Sequence, residues 1–128
     1  MAWMLREENG ILRIEFTGTL TNQDLVAGEG ELERIERSAP VVPSRLSDLG
    51  LAERLEIDFH GVLALALARR QMNFKNSFKS AIVAPDFVRF GFARMFQTLN
   101  DHPQITIAIF PDVPAALDWL SGSTGVTS

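Results

Sequence analysis

Residues 47–72 read SDLGLAERLEIDFHGVLALALARRQM and decide the fold of this chain. The stretch predicts a strand that ends near Asp48, a loop that crosses to Asp58, and a very apolar helix from Asp58 to Met72. We favour a helix because its leucines are separated by alanine, the best helix former, and because the segment is long. Ligands and partners of open α/β sheets bind beyond the carboxyl ends of the strands, so we expect Asp48, Asp58 and His60 at a functional edge.

Strands and helices alternate on both sides of this stretch. Asn9-Gly10 predicts a tight hairpin, because both residues tolerate positive φ. The remaining patterns predict strands at 3–7, 11–17, 41–49, 80–84 and 104–110, and helices at 22–37, 58–72, 86–99 and after Asp112. This order indicates an α/β fold with a mainly parallel five-stranded sheet, an N-terminal β-hairpin and four helices. We expect the hairpin to be the one antiparallel pairing.

Length and composition indicate one soluble globular domain. The chain has 128 residues, of which 46% are hydrophobic and 22% charged. We place the domain at residues 1–121 and expect 122–128 to form a disordered tail. The absence of cysteine excludes disulfides and cysteine-based metal sites. The N-terminus does not resemble a signal peptide and the apolar run at 62–68 is too short to span a membrane, so we expect a cytoplasmic protein.

Charge is unevenly distributed along the chain. The net charge of −4 argues against nucleic-acid binding. Residues 65–100 nevertheless hold six basic residues against Asp86 alone: Arg69, Arg70, Lys75, Lys79, Arg89 and Arg94. Two interpretations stay open, namely solvated helix faces and a basic patch for an acidic partner or ligand.

Motifs for catalysis or cofactor binding are missing from the sequence. There is no phosphate-binding loop, nucleophile elbow or His-Glu-x-x-His zinc motif, so we expect no enzyme activity, no cofactor and no metal. Asp48, Asp86 and Asp112 each follow a predicted strand. We expect two of them mainly to cap helices, although three carboxylates on one edge are also compatible with a divalent cation.

The two histidines have different surroundings in the sequence. His102 precedes a proline in a predicted turn, and we expect it to be exposed to solvent. His60 lies near a helix N-terminus, which disfavours an imidazolium. It therefore has either a neutral structural role or a functional contact. Asp58 is the expected N-cap of that helix, and an acid–base pair with His60 is the alternative.

The order of elements and the segment Ile57–Val62 resemble the STAS family. Its small bacterial members are anti-sigma-factor antagonists. In those proteins a strand-end Asp leads to Asp-Ser-Ser-Gly at the start of an apolar helix, and a partner kinase phosphorylates the second serine. Asp48 matches the strand-end Asp, and residues 58–61 match Asp-Ser-Ser-Gly, with Phe59 and His60 in place of both serines.

The C-terminal third is more similar to an uncharacterised bacterial branch of STAS-like proteins, a group linked to lipid-binding domains. The resemblance rests on residues 93–96, 107–110 and 116–120. Altogether it covers about residues 2–121 and implies a SpoIIAA/STAS-like fold.

Two functions follow from this resemblance and from the patterns. The first is a non-catalytic protein-interaction domain of regulatory type that lacks the phosphoserine switch. The alternative is a module that binds a small lipid-like or anionic molecule between its helices. A roomy apolar cavity favours the ligand-binding module, whereas a solid core with an exposed aromatic edge favours the interaction domain.

The expected partner-binding edge combines helix N-termini with charged side chains. Backbone N–H groups there are available to a partner carboxylate or phosphate. His60 takes the phosphoserine position and can change charge near neutral pH. The predicted partner-binding residues are Asp48, Asp58, His60, Arg89 and Arg94.

Surplus apolar side chains predict a weak or moderate homodimer. Leu65 lies off the main apolar face of its helix, and Phe87 and Phe90 lie off the stripe of the next helix. Contiguous exposed apolar patches usually mark an interface. The alternative is that an N-terminal segment or a loop covers these side chains.

Overall fold

The computed structural model describes residues 3–122 and contains seven strands and four helices. The strands are β1 (Trp3–Glu8), β2 (Ile11–Phe16), β3 (Gly18–Thr21), β4 (Arg45–Asp48), β5 (Ala52–Glu56), β6 (Phe78–Val83) and β7 (Ile105–Phe110). The helices are α1 (Asn22–Ser38), α2 (Phe59–Arg70), α3 (Phe87–Leu99) and α4 (Val113–Leu120). The four predicted helices are therefore confirmed. The expected tail at 122–128 lies almost wholly outside the described residues.

The main sheet has five strands in the order β1-β2-β4-β6-β7. β1 and β2 pair antiparallel around Asn9 and Gly10, whose φ angles are 55° and 78°. β4 pairs in parallel with β2 and β6, and β6 pairs in parallel with β7. The predicted mainly parallel sheet, with the hairpin as its one antiparallel pairing, is confirmed.

A second, two-stranded parallel sheet joins β3 to β5. The sequence predicts no strand in either segment, because Gly18 is expected to end the preceding strand and residues 49–58 are expected to form a loop. Gly18 does adopt a φ of 63°, which ends β2, but the chain resumes an extended conformation directly afterwards. Each strand is only four or five residues long. Their pairing is long-range, so local periodicity does not reveal it.

Helices cover the two faces of the main sheet unequally. Because side chains alternate along a strand, Leu46 faces α4 while Arg45 and Ser47 face the other side. Leu46 accordingly packs with Ala116 of α4. On the opposite face α1, α2 and α3 cover the sheet, with α2 in contact with both of its neighbours. α2 is thus packed on two sides, although Leu67 stays 40% exposed.

Two hydrogen bonds join the N-termini of α1 and α2. The Asn22 side-chain amide donates to Asp58 Oδ1 at 3.0 Å, and the Asp58 backbone N–H donates to Asn22 Oδ1 at 3.3 Å. This arrangement requires glycine at position 61, since an added Cβ there would overlap the Asn22 side chain. Thr21 caps α1 through a capping box with Asp24, three residues further along the chain.

A buried network of charges joins the C-terminal halves of α1 and α2 to the start of β4. Glu36 Oε2 accepts from Arg45 Nη1 at 2.5 Å and also from Arg69 Nη2. Arg69 Nη1 donates to Glu29 Oε2 at 2.9 Å. We call Glu29, Glu36, Arg45 and Arg69 the buried charge cluster, because all four residues are buried.

Desolvation shifts the pKa values of two residues of the buried charge cluster. It raises the pKa of Glu29 above its ordinary value, against the opposing hydrogen bond and positive charge of Arg69. It also lowers the pKa of Arg45 to about 10, so this guanidinium stays charged at neutral pH. The Arg45 guanidinium lies 4.1 Å from the centre of the Phe78 ring, which adds a cation–π contact.

We expect Arg69→Met to lower the free energy of unfolding by about 3–5 kcal/mol, because it leaves buried carboxylates without their counter-charge. Arg37→Met is the matched control, since it breaks the exposed pair with Glu33 and should cost less than about 1 kcal/mol. Urea denaturation of both variants measures the difference. Equal losses would show that the buried charge cluster contributes no more than a surface ion pair.

We expect Gly61→Ala to lower the free energy of unfolding by about 1–3 kcal/mol through overpacking against Asn22. Gly91→Ala is the control: an added Cβ has nothing within 4 Å at that helical position, so it should stabilise by up to about 1 kcal/mol. Urea denaturation again provides the values. Two outcomes would show that the approach of Asn22 is not the reason for glycine at position 61. One is that Gly61→Ala stabilises the protein. The other is that adding Asn22→Ala to Gly61→Ala does not recover the lost unfolding free energy.

Candidate functional site

Two of the three side chains named at the predicted functional edge, Asp48 and Asp58, have structural roles. Asp48 ends β4 as expected but is buried, and its Oδ1 accepts a 2.8 Å hydrogen bond from the Gly50 N–H. Asp58 is exposed and caps α2 by accepting from the Gly61 N–H at 3.0 Å. That bond, followed by the one from Asn22, lowers the pKa of the Asp58 carboxyl. Asp48 therefore supports a turn, and Asp58 supports a helix start.

His60 is exposed in the first turn of α2 and makes no hydrogen bond to a described residue through its ring. Its imidazole lies 5.9 Å from the Phe59 ring in an edge arrangement. Asp58 Oδ1 is engaged by Gly61 and Asn22 rather than by the His60 ring, although the charge of His60 is among the smaller causes that lower the pKa of Asp58. The His60 ring is exposed and therefore available for an external contact.

Arg89 is held by its own chain. Its side chain donates to the carbonyl oxygens of Leu49, at 2.9 Å, and Ala52, and pairs with Asp86 at 2.5 Å. It thereby fastens the loop after β4 to the start of α3. Arg94 is exposed and bonds to a side chain of its own helix. Arg94 lies five positions after Arg89 on the helix, so the two point about 140° apart.

The six basic residues of 65–100 do not form one patch. Arg69 belongs to the buried charge cluster, which corrects the expectation that it lies on the surface. Lys75 donates to backbone carbonyls at the end of α1, and Lys79 donates to the Trp119 carbonyl at 3.1 Å. The apparent excess of positive charge is therefore distributed over several sides of the molecule.

The carboxylates that follow the later strands cap helices. Asp86 Oδ1 accepts from the Arg89 N–H, and Asp112 Oδ1 accepts from the Ala115 N–H, both at 2.9 Å. Among residues 3–122, no group of three or more acidic or histidine side chains is placed to hold a metal ion.

His102 is half-buried rather than solvent-exposed, so that expectation was wrong. Its Nε2 lies 2.6 Å from the Met72 carbonyl oxygen, and its Nδ1 accepts from the Gln104 N–H at 3.0 Å. The ring also contacts Phe74, with 5.2 Å between centroids. The segment that follows α2 folds back over this turn, a long-range contact that the local sequence does not indicate.

Exposed apolar side chains, most of them aromatic, lie on the N-terminal turns of α2 and α3. Phe87 is 90% exposed, and Phe59, Val88 and Phe90 are exposed as well. We call these four residues the aromatic edge. Leu65, predicted to share a dimer surface with Phe87 and Phe90, instead packs against the protein's own core. Of the three predicted interface residues, only the two phenylalanines are exposed.

A cavity of about 130 Å³ lies between the main sheet and the layer formed by α1, α2 and α3. It exists because small residues face one another across this layer, with Ser47 and Ser80 on the sheet and Gly28 and Ala93 on the helices. Large apolar side chains line the rest of it, among them Leu25, Val62, Leu65, Ile82, Phe92 and Phe96. Three members of the buried charge cluster, namely Glu29, Arg45 and Arg69, also line it.

The sequence did not reveal this cavity. Its walls come from eight separate elements, and each small residue looks unremarkable in its own strand or helix. The small residues on the predicted central strands and the glycine in the first helix were the only available signals. Among residues 3–122, no helix combines the length and apolar character needed to cross a membrane.

Comparison with known proteins identifies the fold. No protein-family model matches the chain, and no curated protein matches it. Among solved structures, the chain is similar to an uncharacterised DUF3478-family protein with a SpoIIAA-like fold from Shewanella loihica PV-4. The identity is 22%, the TM-score is 0.58, and the alignment covers 93% of this chain and 92% of the other. The chain therefore has the SpoIIAA-like, or STAS-like, fold that its sequence resembles.

Proposed function

We propose that this protein is a non-catalytic binding module that holds a small, largely apolar molecule in the cavity between the sheet and helices α1–α3. The observation that carries the proposal is the cavity itself, with its largely apolar walls and a few polar groups among them. Small-molecule sites typically combine these two features. Of the two functions expected from the sequence, this is the ligand-binding alternative.

The volume of the cavity supports the binding of a small apolar molecule. Protein interiors are close-packed, with few voids larger than a water molecule. An apolar cavity of about 150 Å³ stays dry and binds benzene. The present cavity, at about 130 Å³, is of that order. An empty cavity also costs stability, because its lining atoms lose dispersion contacts. A bound molecule would restore those contacts and stabilise the fold.

We expect benzene at millimolar concentration to raise the melting temperature of the unmodified protein and to shift the NMR signals of residues that line the cavity. Ala93→Leu places three extra carbons in the cavity from α3 and should abolish both effects. Native mass spectrometry of the protein as purified, with accurate intact mass, would report an occupant acquired in the cell.

Ala27→Leu is the matched control for that experiment, since it makes the same substitution on an exposed position of α1 outside the cavity. It should retain the response to benzene. The ligand-binding proposal would be rejected if benzene produces no response in the unmodified protein, or if Ala93→Leu responds as strongly as Ala27→Leu.

A second candidate, the protein-interaction domain, is favoured by the aromatic edge. Four exposed apolar side chains on adjacent helix starts form a surface of the kind that marks interfaces. His60 lies beside Phe59 on the same turn, at the place where the resembled family carries its phosphoserine. We propose that binding here needs no serine phosphorylation and uses the exposed His60 and the aromatic edge. Asp48, Arg89 and Arg94, predicted earlier for this role, contribute less because of their placement.

We expect sedimentation at high micromolar concentration to show a weak homodimer that Phe87→Ser dissociates and that Val26→Ser, an exposed control on α1, leaves intact. The reason is that Phe87 contributes the largest apolar area to the aromatic edge. A monomeric unmodified protein would rule out the homodimer.

For a different partner, His60→Ala and Phe87→Ser are compared in pull-downs from native cell extract. If both variants retain every partner of the unmodified protein, this edge is not the binding surface.

A further inference from the structure

We infer that the cavity takes an uncharged amphipathic molecule, whose polar end carries both a hydrogen-bond donor and an acceptor and lies against Arg45, Ser80 and Asn100. This inference rests on the proposed ligand-binding function and specifies the chemical class of the ligand. It narrows the earlier expectation of a lipid-like or anionic molecule.

The three polar residues lie at the same end of the cavity. Arg45 is the first residue of β4, and Ser80 is its register partner on the neighbouring strand β6. Asn100 follows the last residue of α3 and precedes β7, which runs parallel to β6. All three therefore lie toward the amino-terminal end of the parallel strands and line the cavity there. The opposite end is lined by Phe16 and Ile57 and also by Asp24, in the first turn of α1.

Two buried polar atoms at this end lack a hydrogen-bond partner among the described residues. They are the Nε of Arg45, a donor, and the Oδ1 of Asn100, an acceptor. Arg45 and Asn100 are only 3% and 4% exposed. A buried polar group without a partner costs about 1–3 kcal/mol, so native proteins rarely leave one unsatisfied. A ligand group that accepts from Arg45 and donates to Asn100 satisfies both atoms.

Charge balance disfavours an anionic ligand. The buried charge cluster contains two carboxylates and two guanidinium groups, already joined by ion pairs. Asp24, which also lines the cavity, adds a further carboxylate at α1. An anionic ligand would enter a low-dielectric space with no free counter-charge, and burying an unpaired charge costs several kcal/mol. A neutral hydroxyl or amide avoids that cost and uses the free donor and acceptor.

The experiment compares benzene, phenol and benzoate, three probes of similar ring size that differ in the polar group. Binding is measured by NMR titration of the unmodified protein. We expect phenol to bind about 2–10-fold more tightly than benzene, the effect of one net hydrogen bond. Benzoate should bind most weakly. Asn100→Leu, which is close in size to Asn, should reduce the phenol-to-benzene ratio to about one while benzene still binds.

Ser80→Ala provides a second variant that removes only a hydroxyl, and it should reduce the phenol-to-benzene ratio with little effect on folding. Equal affinity of phenol and benzene for the unmodified protein would overturn the inference, because bound water alone would then satisfy Arg45 and Asn100. Tighter binding of benzoate would also overturn it, in favour of an anion site. If benzene itself does not bind, the proposed function fails, and the inference fails with it.

Discussion

The ion pairs around Glu36 are the interaction on which the helical layer depends. One carboxylate oxygen of Glu36 receives Arg45 from the sheet and Arg69 from α2, while Arg69 also binds Glu29 on α1. Three elements are therefore joined at a buried point, where every charge has a partner. Removing one of these side chains leaves the others without a counter-charge in a low-dielectric environment, so the arrangement tolerates little change. It sets how closely the C-terminal halves of α1 and α2 approach the sheet.

At the other end of the same helices, Asn22 and Asp58 hold the two N-termini together. α1 and α2 are thus fixed at both ends by polar contacts, and the layer between them cannot collapse freely onto the sheet. Between these two attachments, where small residues such as Ser80 and Ala93 line the layer, space remains. The cavity is a consequence of two rigid attachments and a deficit of side-chain volume between them.

The two candidate functions use different parts of this arrangement. The aromatic edge lies on the N-terminal turns of α2 and α3, next to the carboxyl ends of the parallel strands, where open α/β sheets commonly bind. The cavity lies beneath the same helices and ends in polar groups near Arg45. Because α2 contributes to both, a molecule in the cavity would contact Val62 and Leu65, which lie within two turns of Phe59.

Local physics determined much of this protein from the sequence alone. Apolar periodicity located the helices, Asn9-Gly10 fixed the hairpin, and Thr21, Asp58, Asp86 and Asp112 capped helices where their types and spacing indicated. The alternation of strands and helices then implied the mainly parallel sheet and the STAS-like fold. Each of these signals acts over a few residues, within one element or between neighbours.

Tertiary structure alone decided the site. The burial of Asp48, the capture of Arg89 by two loop carbonyls, the pairing of β3 with β5 and the half-burial of His102 all depend on contacts between residues far apart in the chain. An arginine such as Arg69 has the same sequence context whether its guanidinium meets solvent or a buried carboxylate. The volume of a cavity depends on the side chains of several elements together, so it is not visible in the sequence of any single segment.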